Sequence, residues 1–544
     1  MENFTVVIFL LAVLLGLYAL IDKLKLPHSV FLVLIGLAIG FVPFFPNLVL
    51  NPDVIFVAVL PPLLFDAASQ TSWHEFKTNF RQISTLGISL VFFTMVAVAI
   101  TAHYFIPGFT WPLSFLLGAI VSPPDAVASS SIIKGLGLNK KVISILEGES
   151  LINDASALIA YRYALAAIIT GSFIFWKAGV QFLWIAGGGI GIGLLLGYVL
   201  IFLHRKIENY PVIETGLSLL TPFVSYLAAE QLHTSGILAV VTTGIIISWR
   251  SQEIFSYQSR MQTRVVWDTL IFLMNGFIFI LIGLQLPGIL KQLRGYSFST
   301  LLVYGLVVSV ATIIVRILWV FISASISSIV KKIRSGAEPS AEEATDSNFW
   351  KNVLVVSWTG TRGMVSMATA LALPVVLSDG KPFNERSLII FLCFVVIFVT
   401  LVVQGLSLPL LIRLLRIKKT ENQDKEETQI QLYLVHNTLH FIEHDYYPQL
   451  EDVVRKKLVK KYEDEARRLT TEIGNLKENE ARQKQRPATL SPMQEALVAI
   501  KQFQRDLLLQ LHKEGKFSSM AITEVEKDLD IDELKLNQSL PKIE

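Results

Sequence analysis

The sequence predicts an all-α polytopic membrane protein: about thirteen transmembrane helices in two inverted six-helix repeats, with helices 5 and 12 broken, followed by a helical cytoplasmic domain. Three observations carry that prediction. Hydrophobic residues make up 52% of the 544 residues and charged ones only 17%, with a mean hydropathy of +0.54, far from the composition of a soluble domain. Charge is crowded at one end, where residues 417–544 hold 21 Lys and Arg and 24 Asp and Glu, so the chain divides into a transmembrane domain, 1–416, and a cytoplasmic helical regulatory domain, 417–544. Apolar stretches of roughly 17 to 25 residues also recur along the first domain, each long enough to cross the hydrocarbon layer.

In order, these stretches lie near residues 3–21, 28–46, 53–70, 82–104, 113–133, 143–169, 181–203, 212–231, 235–249, 265–287, 299–330, 350–376 and 388–412. The first is followed by Lys23 and Lys25 and preceded by no basic residue, which fits a retained helix rather than a cleaved signal peptide. With the N-terminus outside, the inward loops collect nineteen Lys and Arg and the outward loops five. That positive-inside bias puts the C-terminal domain in the cytoplasm. Cys393 is the sole cysteine, so no intrachain disulfide can form, and it reads as a small apolar packing residue.

Two of the stretches are interrupted. In the fifth, Ser122-Pro123-Pro124-Asp125 removes two backbone donors and frees carbonyls of the preceding turn. In the twelfth, Gly360-Thr361-Arg362-Gly363 places a cation between two helix-weakening glycines. The interrupted spans are seven apart, so with span 7 as a connector each is the fifth helix of a six-helix unit, and an odd offset inverts one unit relative to the other. Breaks at matching places in inverted repeats point to a binding site at the midplane, where freed carbonyls and half-helix ends meet an ion.

Span 6 contains Gly148-Glu149-Ser150-Leu151-Ile152-Asn153-Asp154-Ala155. A carboxylate at the centre of a span costs at least about 2.5 kcal/mol on insertion scales and is relieved by a partner, a cation or a proton. Ser150 and Asp154 share a helix face at i, i+4, with Asn153 and Glu149 on the neighbouring strip. Asp125 beside the Pro-Pro turn would supply a second carboxylate, and Asp66 in Pro61-Pro62-Leu63-Leu64-Phe65-Asp66 a third. Carboxylate, hydroxyl and carbonyl oxygens suit a hard alkali cation, and burial beside a like charge favours a proton on Asp154 when no cation is bound. Glu149 and Arg362 are expected to pair, pinning span 6 to span 12. Arg162, Glu214, Glu230, Asp268, Asn275 and Arg316 read as inter-helix hydrogen bonds and topology anchors.

Taken together, Leu60 to Asp66, Ser122 to Asp125, Gly148 to Asp154, Gly360 to Gly363 and the span 13 run ending Gln404-Gly405 resemble the electroneutral sodium/proton antiporters, NhaP-type and sodium/proton exchanger-like, over residues 1 to about 416. The resemblance implies exchange of cytoplasmic sodium, with lithium or potassium as alternatives, for protons, serving sodium tolerance and pH homeostasis in a multi-pass plasma membrane protein of prokaryotic type. It implies that Asp154 binds the ion and the proton, that Asn153 before it marks one-for-one exchange, and that Asp125 holds Asn153. Ser150, Asp66 and the carbonyls by Pro124 would complete the cation site, and Glu149 and Arg362 would match the family's buried ion pair. It further implies a homodimer embedded in lipid, with a static interface domain and a moving six-helix core. No enzymatic activity, cofactor, resident metal or nucleic-acid partner is expected. Two departures stand out: Pro124 where many relatives carry Thr removes a hydroxyl ligand, and Asp66 where many carry Glu shortens the reach.

The cytoplasmic domain reads as charged amphipathic helix over 428–469 and 492–516 with an acidic end at 524–533. His436, His440 and His444 recur at i, i+4, i+8 beside Glu443, a candidate pH sensor or metal site against the alternative of ordinary surface histidines. An intramembrane aspartyl protease would also use paired acids such as Asp125 and Asp154, but has no need of broken helices or Asn153. A channel is the other transport reading, and a titratable site between inverted repeats favours alternating access over it. Sodium and potassium are both hard cations, so the K+/H+ antiporter remains the alternative within the family.

Overall fold

The structure, a computed structural model, describes residues 2–24, 28–42, 55–125, 140–170, 175–207, 210–255, 257–293, 295–335, 349–377, 382–415, 432–433, 435–440, 442 and 456–470. Among the described residues there is no β-strand, only an isolated bridge between Val376 and Pro382. By compactness the chain divides into two units, Met1–Thr420 and Glu421–Glu544. In the second unit the described residues are helical, including 456–470; His436 and His440 are exposed, and His444 lies outside the described residues.

The first unit opens with α1 (Glu2–Leu24) and α2 (His28–Gly40), followed by a π-helical turn, Ile55–Val59, leading into α3 (Leu60–Gln70). Short helices α4 (Trp73–Thr78) and α5 (Phe80–Ser84) precede a second π-helical turn, Thr85–Leu90, and α6 (Val91–Phe105). Then come α7 (Trp111–Val121), α8 (Lys140–Thr170), α9 (Phe175–Lys206), α10 (Pro211–Gln231), α11 (Gly236–Ile254), α12 (Tyr257–Gln292) and α13 (Phe298–Ser335). The last described elements of this unit are α14 (Phe349–Trp358), α15 (Met364–Leu371), α16 (Arg386–Thr400), a third π-helical turn, Leu401–Gly405, and α17 (Leu406–Leu415).

Six helical stretches among the described residues are long and apolar enough to cross a membrane: Phe80–Phe105, Gly179–Lys206, Pro211–Gln231, Gln258–Gln292, Phe298–Ile326 and Arg386–Leu415. Others expected from the sequence are apolar but shorter, such as His28–Gly40 and Trp111–Val121. Two of the remaining spans depart for the reasons that make them interesting. Span 12 is split between α14 and α15 by residues 359–363, and span 6, here α8, carries Glu149, Asp154 and Arg162 inside its apolar run. The three π-helical turns have no counterpart in the sequence reading, since the phase shift of one extra residue leaves no mark on a stretch that is apolar nearly all round.

Packing sorts the helices into two groups. In one, α6 lies on α7 and α13, α7 on α8, and α13, α14, α15 and α16 close the bundle. This group draws on both halves of the chain, residues 80–170 and 298–415. In the other group α2 packs along α12, and α9, α10 and α3 pack on α11. The α2–α12 crossing is close because glycine removes the side chain at the contact: a Cβ on Gly36 would lie 2.0 Å from the Ile280 carbonyl oxygen, and one on Gly283 would lie 2.1 Å from that of Val33. Small residues at helix crossings allow such approach in membrane bundles, where packing rather than water expulsion drives association.

Candidate functional site

The site begins where α7 ends. A helix continuing past Val121 would use the N–H groups of residues 123, 124 and 125 for the carbonyls of Ala119, Ile120 and Val121, but Pro123 and Pro124 have none to give. Ser122 Oγ donates to the Ala119 carbonyl at 3.1 Å instead. Asp125 has an N–H but turns it across to the Thr361 carbonyl at 2.6 Å, and Thr361 Oγ1 answers by donating to the Asp125 carbonyl at 3.2 Å. The Val121 carbonyl, left without its helical donor, accepts from Arg362 Nε at 3.0 Å. The two helix breaks therefore satisfy each other, which is how a membrane protein can hold irregular backbone at depth.

The second break is held from its other side as well. Arg362 donates through a guanidinium nitrogen to the Gly360 carbonyl, and its backbone N–H donates to Thr400 Oγ1 at 3.0 Å. Trp358 Nε1 donates to Ser407 Oγ at 2.8 Å. Gly363 opens α15, and a Cβ there would lie 1.6 Å from Asp125 Oδ2. The absence of a side chain at 363 thus lets the Asp125 carboxylate sit at the N-terminus of α15, where unpaired N–H groups and the helix dipole favour negative charge. Gly360 does the same for a cation, since a Cβ there would lie 2.2 Å from Arg316 Cδ. The sequence reading treats these glycines as helix breakers; their tighter role is to make room for charged side chains.

α8 supplies the third wall. Asn153, fully buried, donates from Nδ2 to the Pro124 carbonyl at 3.1 Å, so the bond runs to the backbone beside Asp125. Pro124, Asp125, Glu149, Ser150, Asn153 and Thr359 line one small cavity. The α8 residues on that cavity, Leu146, Glu149, Ser150 and Asn153, form a single i, i+3, i+4, i+7 strip. Asp154 is buried in the next position round α8 and is not part of the cavity lining. Ser150 and Asp154 remain one turn apart on α8, at i, i+4.

The expected Glu149–Arg362 pair is corrected by the structure. Glu149 is taken by Arg316 of α13, with Nη1 to Oε1 at 2.5 Å and Nη2 to Oε2 at 3.1 Å, and Nη2 also reaches the Val356 carbonyl at 3.2 Å. Both side chains are at most 2% exposed. The physical reason is that the break frees carbonyls that only a nearby donor can satisfy, and Arg362 is already spent on those of Val121 and Gly360. A guanidinium presenting its fork to a buried carboxylate is then left to Arg316. The sequence reading counts Arg316, a lone arginine in the middle of the span over 299–330, among the inter-helix anchors without naming its partner.

Asp66 does not join this cavity. Its Oδ2 accepts from Gln70 Nε2 at 2.8 Å one turn further along α3, and it lines a separate cavity with Ser218, Trp267 and Asp268. α3 packs chiefly on α11, where Gly244 brings it close to Ala68, and this turns Asp66 toward the second helix group. Of the histidine triplet, the two described members lie exposed in the second unit. No group of three His, Cys, Asp or Glu suited to a metal occurs among the described residues.

With this geometry in hand, comparison with known proteins is specific. The family model for the sodium/hydrogen exchanger, transmembrane, matches residues 9–414. The chain is 34% identical over 443 residues to the sodium, potassium, lithium and rubidium/H(+) antiporter of Bacillus pumilus, covering 78% of this chain and 62% of that protein. It is 31% identical over 391 residues to the Na(+)/H(+) antiporter ApNhaP of Aphanothece halophytica, covering 71% of this chain and 69% of that one. Among solved structures, the sodium proton antiporter MjNhaP1 of Methanocaldococcus jannaschii at pH 8 superposes with a TM-score of 0.57 at 21% identity, over 74% of this chain and 99% of that one, a likeness of fold. Interlocked helix breaks beside buried acids, within a chain matched from residue 9 to 414, make this protein a member of the transmembrane sodium/hydrogen exchanger family.

Proposed function

We propose that the chain is an electroneutral cation/proton antiporter that exchanges cytoplasmic sodium for protons by alternating access, with Asp154 as the group that carries either the cation or the proton. The observation that carries this reading is the mutual hydrogen bonding of the two breaks, which sets Asp125 and the Pro124 carbonyl against Asn153, adjacent to Asp154 on α8. Ser150 and Asp125 offer oxygens to a cation from the small cavity, and Asn153 holds the break while adding no charge. A site with one exchangeable charge moves one proton per monovalent cation. Of the other acids expected near the site, Glu149 belongs to Arg316, and Asp66 stands in a second cavity suited to an approach route.

The same reading takes the group built from α6–α8 and α13–α17 as the moving core and the group around α2, α9, α10, α11 and α12 as the scaffold of a homodimer, with the N-terminus outside and residues 417–544 as a cytoplasmic regulatory domain. Potassium is a second cation to test, because the Bacillus pumilus relative is named for sodium, potassium, lithium and rubidium.

The test is a proton flux measurement in proteoliposomes with a pH dye after addition of sodium, lithium or potassium, on wild type and Asp154→Asn. Cation-driven flux that is insensitive to membrane voltage and lost in the variant is expected. Wild-type flux in Asp154→Asn would remove Asp154 from its role, and no flux with any of the three ions would remove the antiport reading.

A further inference from the structure

We propose that Arg162 and Glu230 form a latch that closes one face of the molecule, and that its making and breaking biases which face is open; this rests on the alternating-access reading above. Arg162 lies on α8, about 12 Å along the helix from Asp154. Its Nη2 donates to both carboxylate oxygens of Glu230, at 2.8 and 2.9 Å. Glu230 is the penultimate residue of α10, and its Oε1 also accepts the backbone N–H of Gly236, the first residue of α11, at 3.3 Å. One carboxylate thus ties the helix that carries Asp154 to two helices of the other packing group. It is a side-chain ion pair spanning the boundary across which the two groups must slide.

The N-terminal half of α10 differs. There Ser218 lines the cavity it shares with Asp66, Arg264 and Trp267, about 1080 Å³ including its open mouth. The same helix is therefore bridged to α8 at its C-terminal end and stands beside an open cavity toward its N-terminal end. That is the asymmetry of a state closed at one face and open at the other. The strength of the bridge fits a step repeated in every cycle: the side chains are 40% and 27% exposed, and an ion pair in such a setting shifts a two-state equilibrium by about two- to fivefold, enough to bias the states and too little to trap one.

The experiment is transport by the full chain in proteoliposomes of defined orientation, with the KM for sodium measured from each face for wild type, Arg162→Ala, Glu230→Gln and the charge swap Arg162→Glu with Glu230→Arg. Each single variant should raise KM at the cavity face and lower it at the latched face, by about two- to fivefold, because apparent affinity scales with the fraction of competent state. The swap should return both values toward wild type. KM values unchanged at both faces, or moved in the same direction at both, would overturn the latch, as would a swap that restores neither. A wild type without sodium-driven proton flux would instead remove the antiport reading on which the latch rests.

Discussion

At the α2–α12 crossing, glycine lets two main chains touch; at the helix breaks, glycine lets a main chain receive a charged side chain. Gly36 and Gly283 face the carbonyls of Ile280 and Val33 in an apolar contact with nothing to titrate. Gly360 and Gly363 face the Arg316 guanidinium stem and the Asp125 carboxylate. The absent side chain serves adhesion in the first place and chemistry in the second. An identical substitution should therefore damage stability at one and transport at the other.

Gly363→Ala sharpens that contrast most. Its new Cβ cannot share space with Asp125 Oδ2, so the carboxylate must leave the N-terminus of α15, and transport should fall by at least about tenfold, a change of roughly 1.4 kcal/mol or more in the barrier. Proteoliposome flux measures it, and near-normal activity would mean that the Asp125 placement does not matter. Next is Arg316→Ala, which strands Glu149 in the interior and should cost about 3–5 kcal/mol of stability. A detergent melting curve would show the loss, and adding Glu149→Gln should recover much of it; a double variant no more stable than the single would argue against the pairing. Gly283→Ala should destabilise by about 1–3 kcal/mol through overpacking while leaving the KM for sodium where it was. If the KM moved instead, the α2–α12 crossing would not be the passive contact described. The smallest effect belongs to Thr361→Val, which deletes the hydroxyl bond to the Asp125 carbonyl but leaves the Asp125 N–H to the Thr361 carbonyl. A loss of about 0.5–1.5 kcal/mol is expected, and a melting temperature equal to that of wild type would show that the backbone bond alone holds the crossing.

Residues whose placement follows from their own chemistry were legible in the sequence. Pro123 and Pro124 had to end a helix, and Glu149, Asp154 and Arg362 stood out because charge in an apolar run needs a partner. The identity of each partner was not legible, since it depends on which helix lies opposite. Arg362 and Arg316 present the same side chain to a reader of sequence, each within an apolar span. Only the geometry of the breaks, which commits Arg362 to the carbonyls of Val121 and Gly360, leaves Arg316 for Glu149. Asp66 fell to the same difficulty in another form, because its position next to a Pro-Pro motif says nothing of the side of α3 that meets α11.

The mutual bonding of the breaks also has a consequence for synthesis. Asp125 and Thr361 are 236 residues apart in the chain, so when the first break enters the bilayer the groups that will satisfy it have not yet been translated. Unpaired backbone groups in hydrocarbon each cost several kcal/mol, so the nascent first half must keep that segment near water, translocon or lipid headgroups until residues 359–363 emerge. The candidate site is then among the last features of the molecule to form, and a chain truncated before residue 359 should insert its early helices yet lack the crossing of the two breaks.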